Sequence, residues 1–249
     1  MTTGSVGGPV GFMPMDIILI HGLWLDGSSW DEVVPLLEQA GHRTQVLTLP
    51  GMEAKDADRS EVTLRDHVDA VVDIVDSCDP VEGKVLLVGH SAGGALAHAA
   101  VDARPDRVAR VVYVASEPRG DGDVGGDYPV ENGEVPLPDW SFFDEEMMVD
   151  LDDERLATLR ERAIPSPERV TRDPQRLSDD RRYDVPATVI ACEFPSSMLR
   201  QWMKEGHPGA QELAKLRDVE YIDLPSGHWP QFARPEELGR AILASVDPA

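Results

Sequence analysis

The sequence predicts an α/β fold with a mostly parallel central sheet, helices on both faces and an inserted helical lid. Short, continuous apolar segments alternate with segments of helical periodicity, which is typical of parallel strands joined by right-handed crossovers. A Gly-x-Ser-x-Gly motif stands between one such strand and the helix that follows it. Polar residues suited to catalysis follow several predicted strands directly, at the edge of the sheet where ligands bind in such folds.

Each element rests on a local pattern. Apolar runs predict strands over residues 15–20, 43–48, 85–88, 108–115, 187–194 and 219–224. Capping residues and apolar spacing predict helices that begin at Ser29, Thr63, Ala92, Asp152, Met198, Gln211 and Pro235. The pattern contains no internal repeat, so at 249 residues one large domain with an insertion is expected.

Residues 119–183 interrupt the strand–helix pattern. This inserted segment is rich in Asp, Glu, Arg, Gly and Pro and has no strand signal, and the sheet pattern resumes after it. We therefore predict a core formed by residues 15–118 and 184–249, with residues 119–183 inserted as a lid. Residues 1–14 are Gly-rich and lack the features of a signal peptide, and we interpret them as a disordered leader.

The charge of the chain narrows the range of partners. The sequence has 23 Lys and Arg against 46 Asp and Glu, a net charge of −23. Such a charge argues against nucleic acid and anionic membranes, since both are polyanions, and no apolar run approaches the roughly 20 residues of a membrane span. Cys78 and Cys192 match neither a metal site nor a disulfide framework, which fits a cytoplasmic location. Monomer and homodimer stay open.

Ser91 is the candidate nucleophile. It lies in Gly89-His90-Ser91-Ala92-Gly93, the sharp strand-to-helix turn that exposes a serine hydroxyl at a helix N-terminus. The residues two before and two after the serine must lack a Cβ, because they crowd its strained backbone. The helix dipole and backbone N–H groups at this position favour developing negative charge.

A serine hydroxyl needs a base, and His228 is the strongest candidate among the seven histidines. It follows the last predicted strand, and the order serine before histidine suits this topology. The N–H groups of Leu23 and Ala92 are the expected oxyanion donors. His21 and His90 are interpreted as structural. No metal or cofactor is implied.

On these residues the chain resembles an α/β-hydrolase from Ile17 to Val246. His21–Trp30 and Gly89–Gly94 are similar to the esterase, methylesterase and hydroxynitrile-lyase branch. The resemblance implies Ser91 as nucleophile, His228 as base, and Leu23 and Ala92 as oxyanion donors. Hydroxynitrile lyases of that branch place a lysine after the histidine, whereas this chain has Trp229, so cyanohydrin cleavage is disfavoured.

The triad acid departs from the family pattern. Phe194 occupies the expected Asp position after the penultimate strand, and Glu193 precedes it by one residue. Three assignments stay open: Glu193, no acid at all, or Glu117, which follows the strand after the Ser91 helix. This last arrangement resembles that of zearalenone-type lactonases, which have a Glu-Pro pair similar to Glu117-Pro118. We predict Glu117, with Glu193 as the alternative.

The leading hypothesis is a serine esterase or lactonase acting on a small molecule with an apolar portion. Aromatic and Met residues are expected either to line the substrate pocket or to anchor the inserted segment: Trp24, Trp140, Phe143, Met147 and Trp229. Two alternatives are a non-hydrolytic enzyme on the same scaffold (acyltransferase, lyase or cofactor-free oxygenase) and a receptor-like binding protein.

Overall fold

The computed structural model describes residues 14–79 and 83–246, so the predicted leader lies almost wholly outside the described residues. The strands are β1 (Asp16–Ile20), β2 (Arg43–Val46), β3 (Val85–His90), β4 (Val108–Val114), β5 (Glu134–Val135), β6 (Ser166–Pro167), β7 (Ala187–Ala191) and β8 (Val219–Asp223). Six of them form one sheet in the order β2-β1-β3-β4-β7-β8, and every pairing in it is parallel. The predicted fold class is confirmed.

The helices fill the connections between these strands. They are α1 (Val34–Gln39), α2 (Leu64–Ser77), α3 (Ala92–Ala103), α4 (Asp153–Arg162), α5 (Glu168–Arg172), α6 (Ser196–Glu205), α7 (Pro230–Ala233) and α8 (Pro235–Ala244). Short 3₁₀ turns occur at Gly27–Trp30, Trp140–Phe142, Glu145–Met148, Asp180–Asp184, Pro208–Ala210 and Leu213–Lys215. Thr63 caps α2 with the reciprocal capping box that its sequence predicts, Asp66 being the partner.

The sheet separates two hydrophobic layers. Alternate residues of β1 point to opposite faces: Ile18 packs with residues of α2 and α3, and Ile17 packs with residues of α1 and α8. Both are fully buried, which explains why the strands are continuously apolar rather than alternating. The carboxyl ends of all six strands therefore meet at one edge.

Two predicted helices differ in the structure. The predicted helix start at Ser29 is wrong, because Asp26 caps a 3₁₀ turn there and α1 begins only at Val34. The Ser29 hydroxyl instead donates to the Asp26 carbonyl at 2.8 Å. Residues 211–216 contain the single 3₁₀ turn Leu213–Lys215 instead of a helix.

The inserted segment is mostly turns and short helices between β4 and β7, together with the two-stranded antiparallel β5–β6 ladder that the sequence did not predict. Its carboxyl-terminal end is attached to α3. The buried Asp102 carboxylate accepts hydrogen bonds from the backbone N–H groups of Ser178 and Asp179 and from the Arg182 guanidinium, at 2.8–3.1 Å. No helix in residues 14–79 or 83–246 is long and apolar enough to cross a membrane.

Candidate active site

Ser91 lies where β3 turns into α3, with φ 53° and ψ −123°. These angles are rarely adopted by a residue with a side chain, and they are the strain expected of a nucleophile on a sharp turn. A Cβ on Gly89 would lie 2.4 Å from the Gly93 carbonyl oxygen, and a Cβ on Gly93 would lie 2.6 Å from backbone of β1. The steric requirement predicted for both glycines is confirmed.

The Ser91 hydroxyl lies 2.8 Å from His228 Nε2. On the other side of the ring, His228 Nδ1 is hydrogen-bonded to a Glu193 carboxylate oxygen. This pattern fixes the imidazole so that Nδ1–H donates to Glu193 and Nε2 accepts from the serine. The arrangement can transfer a proton from the serine to the imidazole and stabilise the resulting positive charge.

His228 occupies the loop after β8 and is held from two directions. Its backbone N–H donates to the Met147 carbonyl of the inserted segment at 2.7 Å. Its carbonyl accepts a hydrogen bond from His90 Nε2 at 2.6 Å. The inserted segment thus helps to position the base.

The prediction of Glu117 as the partner of His228 is wrong, because Glu193 forms that hydrogen bond. β7 and β8 are adjacent in the sheet. Glu193, two residues after β7, therefore reaches His228 Nδ1 on the side of the ring opposite Ser91. Phe194, at the expected Asp position, lines a neighbouring cavity with Glu193 and His228 and packs against α6. Its side chain is 36% exposed, and its ring packs edge-on against Trp202 with centroids 5.2 Å apart.

The two glutamates have opposite electrostatic environments. Burial raises the pKa of Glu193, but the hydrogen bond and positive charge of His228 outweigh it and hold that pKa below its usual value. Burial, and then the charge of Glu193, raise the pKa of Glu117 to about 7 against the opposing effect of His228. Ionisation is therefore favoured at Glu193 and opposed at Glu117.

The predicted oxyanion donors face the same cavity. Leu23 and Ala92 both line it, together with Ser91 and His228. Ala92 is the first residue of α3, so its N–H has no partner within the helix. The next residue after Leu23, Trp24, adopts a positive φ of 64°. The loop after β1 lies against the strand-to-helix turn, since a Cβ on Gly22 would stand 2.9 Å from the Ser91 Cβ. Both residues therefore lie at the cavity of Ser91, where oxyanion donors are required.

His21 and His90 have structural contacts. His21 Nδ1 donates to the Gly22 carbonyl at 2.8 Å, and its Nε2 accepts from the Leu49 N–H at 3.2 Å. Burial lowers the pKa of His21 to about 4 and that of His90 well below its usual value. Both rings are therefore neutral and serve to join loops at the strand ends.

The aromatic residues expected at the substrate pocket mainly anchor the inserted segment. Trp140 and Phe143 pack edge-on against Trp229 with centroids 5.8 and 5.7 Å apart, and Phe143 packs in the same way against Trp24. None of these four rings lines the cavity that reaches Ser91. Met147 alone of the predicted set lines a neighbouring cavity, which it shares with Glu193 and His228.

The cavity beside Ser91 has a volume of about 540 Å³. Glu117 also lines it, and much of the remaining wall comes from residues that sequence reasoning did not select, including Arg119, Tyr128, Val170, Thr171 and Glu212. Arg119 and Tyr128 belong to an irregular part of the inserted segment. They carry no motif or periodicity, so nothing in the sequence marked them.

Comparison with known proteins identifies a family and related sequences. The model of an alpha/beta hydrolase family matches residues 17–241. A pyrethroid hydrolase from Sphingobium wenxiniae is 28% identical over 257 residues, spanning 93% of this chain and 88% of its own. Methylesterase 7 from Arabidopsis thaliana is 26% identical over 257 residues, spanning 92% of this chain and 95% of its own.

Solved structures of a pyrethroid hydrolase and a methylesterase superpose on this chain. A pyrethroid hydrolase from Sphingobium faniae superposes with a TM-score of 0.66 at 27% identity, covering 94% of this chain and 98% of that one. A methylesterase from Arabidopsis superposes with a TM-score of 0.73 at 20% identity, covering 93% and 98%. At that lower identity the likeness concerns the fold alone.

Proposed function

This chain belongs to the alpha/beta hydrolase family, and we propose that it is a serine hydrolase that cleaves carboxylic esters of small molecules. The observation that carries the proposal is the continuous hydrogen-bonded chain from Ser91 through His228 to Glu193, which opens into the cavity. Ester cleavage is supported by relatives named as esterases, a pyrethroid hydrolase and methylesterases, that match nearly the whole chain.

The first half of the reaction acylates Ser91. Its oxygen attacks the ester carbonyl while His228 Nε2 takes the hydroxyl proton. The N–H groups of Leu23 and Ala92 stabilise the oxyanion, and Glu193 stabilises the imidazolium. The tetrahedral intermediate collapses when His228 returns the proton to the departing alkoxide, which leaves as the alcohol.

The second half releases the acid. His228 takes a proton from water, and the resulting hydroxide attacks the acyl carbonyl. The Ser91–acyl bond breaks, and the proton on His228 returns to the serine oxygen. A lactone would react by the same steps, except that alcohol and acid stay in one product.

Active-site labelling tests the proposal. A fluorophosphonate should modify Ser91 in the parent protein, and Ser91→Ala, which removes only the hydroxyl, should not be labelled. p-Nitrophenyl esters of increasing chain length should be turned over by the parent and not by the variant. A folded protein that is neither labelled nor active would contradict the proposal, and ligand binding without turnover would favour a receptor-like role.

A further inference from the structure

Arg119 lies on the wall of the cavity that contains Ser91 and His228. It follows β4 by five residues and is half-buried. Most arginines of the described chain bond a carboxylate or a carbonyl. For the Arg119 guanidinium, no hydrogen bond or ion pair is formed with residues 14–79 or 83–246. The Arg119 guanidinium, at the cavity of Ser91, thus has hydrogen-bond donors that no described residue uses.

The surroundings of Arg119 make an added anion favourable. Burial lowers the pKa of the guanidinium, with Tyr128 and Asp123 opposing that change. One terminal nitrogen lies against Gly125, 3.4 Å from where a Cβ would stand, so the absence of a side chain there leaves room for the group. A partly desolvated cation without a partner gains free energy from an anion that completes its hydrogen bonds.

Two of the three carboxylates of the same wall have hydrogen-bond partners elsewhere. Glu212 is bonded to Arg182, His98 and Lys215 at 2.8–3.2 Å. The Asp123 carboxylate accepts from the Gly120 N–H at 3.0 Å and lies in an exposed loop. Among the described residues that line the cavity, Arg119 is the sole Lys or Arg, so it alone provides a fixed positive charge.

Tyr128 supplies a second donor next to Arg119. It lines the same cavity, and its ring packs edge-on against Trp24 with centroids 5.4 Å apart. Burial raises the pKa of its hydroxyl against the lowering effect of Arg119, so the hydroxyl stays protonated and can donate. Within the described residues it forms no hydrogen bond of its own.

We propose that Arg119 and Tyr128 form a subsite for a carboxylate carried by the substrate, so that this chain prefers esters bearing a second, ionised carboxyl group. The inference rests on the proposed ester hydrolysis and adds the substrate class. One guanidinium and one hydroxyl suit a monoanion. A dianionic phosphate would be disfavoured, because Glu117, Asp123 and Glu212 line the same wall.

Paired substrates test the subsite. The kcat/KM of the parent is measured at pH 7.5 for monomethyl and dimethyl esters of linear dicarboxylic acids, from succinate to suberate. Arg119→Gln should lower kcat/KM for the preferred monoester about 10- to 100-fold, mainly through KM, and change the diester less than about 3-fold. Arg119→Lys should retain part of the monoester activity.

The control is Arg65→Gln, which removes the same charge from an exposed Arg65–Asp69 pair on α2. It should leave the monoester-to-diester ratio unchanged. An equal loss on both esters in Arg119→Gln, or a parent that does not prefer the monoester, would overturn the subsite. Fluorophosphonate labelling and p-nitrophenyl ester turnover report on the proposed function separately, and they also show that Arg119→Gln is folded.

Discussion

The loops after β4 and β7 each bring a glutamate close to His228, yet only one of them holds the base. Glu193 follows β7, lies beside the β8 loop that carries His228, and forms a hydrogen bond to Nδ1. Glu117 follows β4, which lies between β3 and β7, so its loop stands beside the nucleophile. The Ser116 hydroxyl ties that loop to the Ser91 carbonyl at 2.7 Å, and Glu117 lines the cavity.

The difference shows that proximity to His228 alone does not decide which glutamate bonds the imidazole. The position of the strand that each glutamate follows decides it. Behind the ring, a carboxylate is ionised and bonded to Nδ1. In the cavity wall, burial and the charge of Glu193 raise the pKa of Glu117 to about 7, so its carboxyl is mainly protonated below that pH. The Ala115 backbone, with φ 45°, marks the sharp turn that takes the β4 loop into the cavity.

The largest expected effect tests the bonded glutamate. Glu193→Gln should lower kcat for a p-nitrophenyl ester by about 10³- to 10⁴-fold, because the amide cannot stabilise the imidazolium or hold its tautomer. Single-turnover and steady-state kinetics on a shared substrate give the value.

Glu117→Gln is the matched control for that variant, since it makes the same chemical change at a glutamate that lines the same cavity as Ser91 and His228. Its kcat should change less than about 10-fold, because Glu117 forms no hydrogen bond to the ring in the described chain. Equal losses of kcat in both variants, or a larger loss in Glu117→Gln, would contradict Glu193 as the triad acid and favour Glu117.

The pH dependence of stability should separate the two glutamates by sign. Because folding raises the pKa of Glu117 from 4.5 to about 7, its favourable contribution is present below about pH 4.5 and lost as the pH rises through 7. Glu117→Gln should therefore gain stability relative to the parent between pH 5 and pH 8, by up to about 3 kcal/mol. Urea unfolding at pH 5, 6.5 and 8 measures this gain.

Glu193 should behave in the opposite way, because folding lowers its pKa. Its contribution is present above its ordinary pKa of 4.5 and is lost as the pH falls, so Glu193→Gln should be most destabilising in the neutral range. The free energies of unfolding of the two variants should therefore change with pH in opposite directions relative to the parent. A parallel change would contradict the opposite pKa shifts of Glu117 and Glu193.

The smallest effect is expected at Phe194, where the family pattern places an acid. Phe194→Asp should change kcat less than about 3-fold, and it should not restore activity to Glu193→Gln, because the side chain at this position packs against Trp202 while the Nδ1 partner is Glu193. It should cost roughly 1 kcal/mol of unfolding free energy through the lost ring contact with Trp202. Recovery of activity in the double variant would show that the β7 loop can present an acid from either position.

Local sequence patterns determined much of the fold and part of the site. Ser91 and its flanking glycines follow from the backbone of one turn, and His228 follows from the order of strand ends, so both were predictable from short segments. The acid was not predictable in this way. The choice between Glu117 and Glu193 depends on where the loops after β4 and β7 lie relative to the loop after β8, which carries His228. The aromatic residues of the inserted segment were likewise undecided, because packing against Trp229 and lining a cavity require the same apolar side chains.

The sequence by itself determined the parallel sheet, the strained serine and the histidine beyond the last strand, since each depends on hydrophobic periodicity or on the steric needs of adjacent residues. Only the tertiary structure decided that Glu193 faces the imidazole, that Phe194 packs against Trp202 and that Arg119 lies on the cavity wall with no partner among residues 14–79 and 83–246. The physical reason is that burial and electrostatic partners are set by residues far apart in the chain, and one residue's shift at a strand end changes the direction of a side chain.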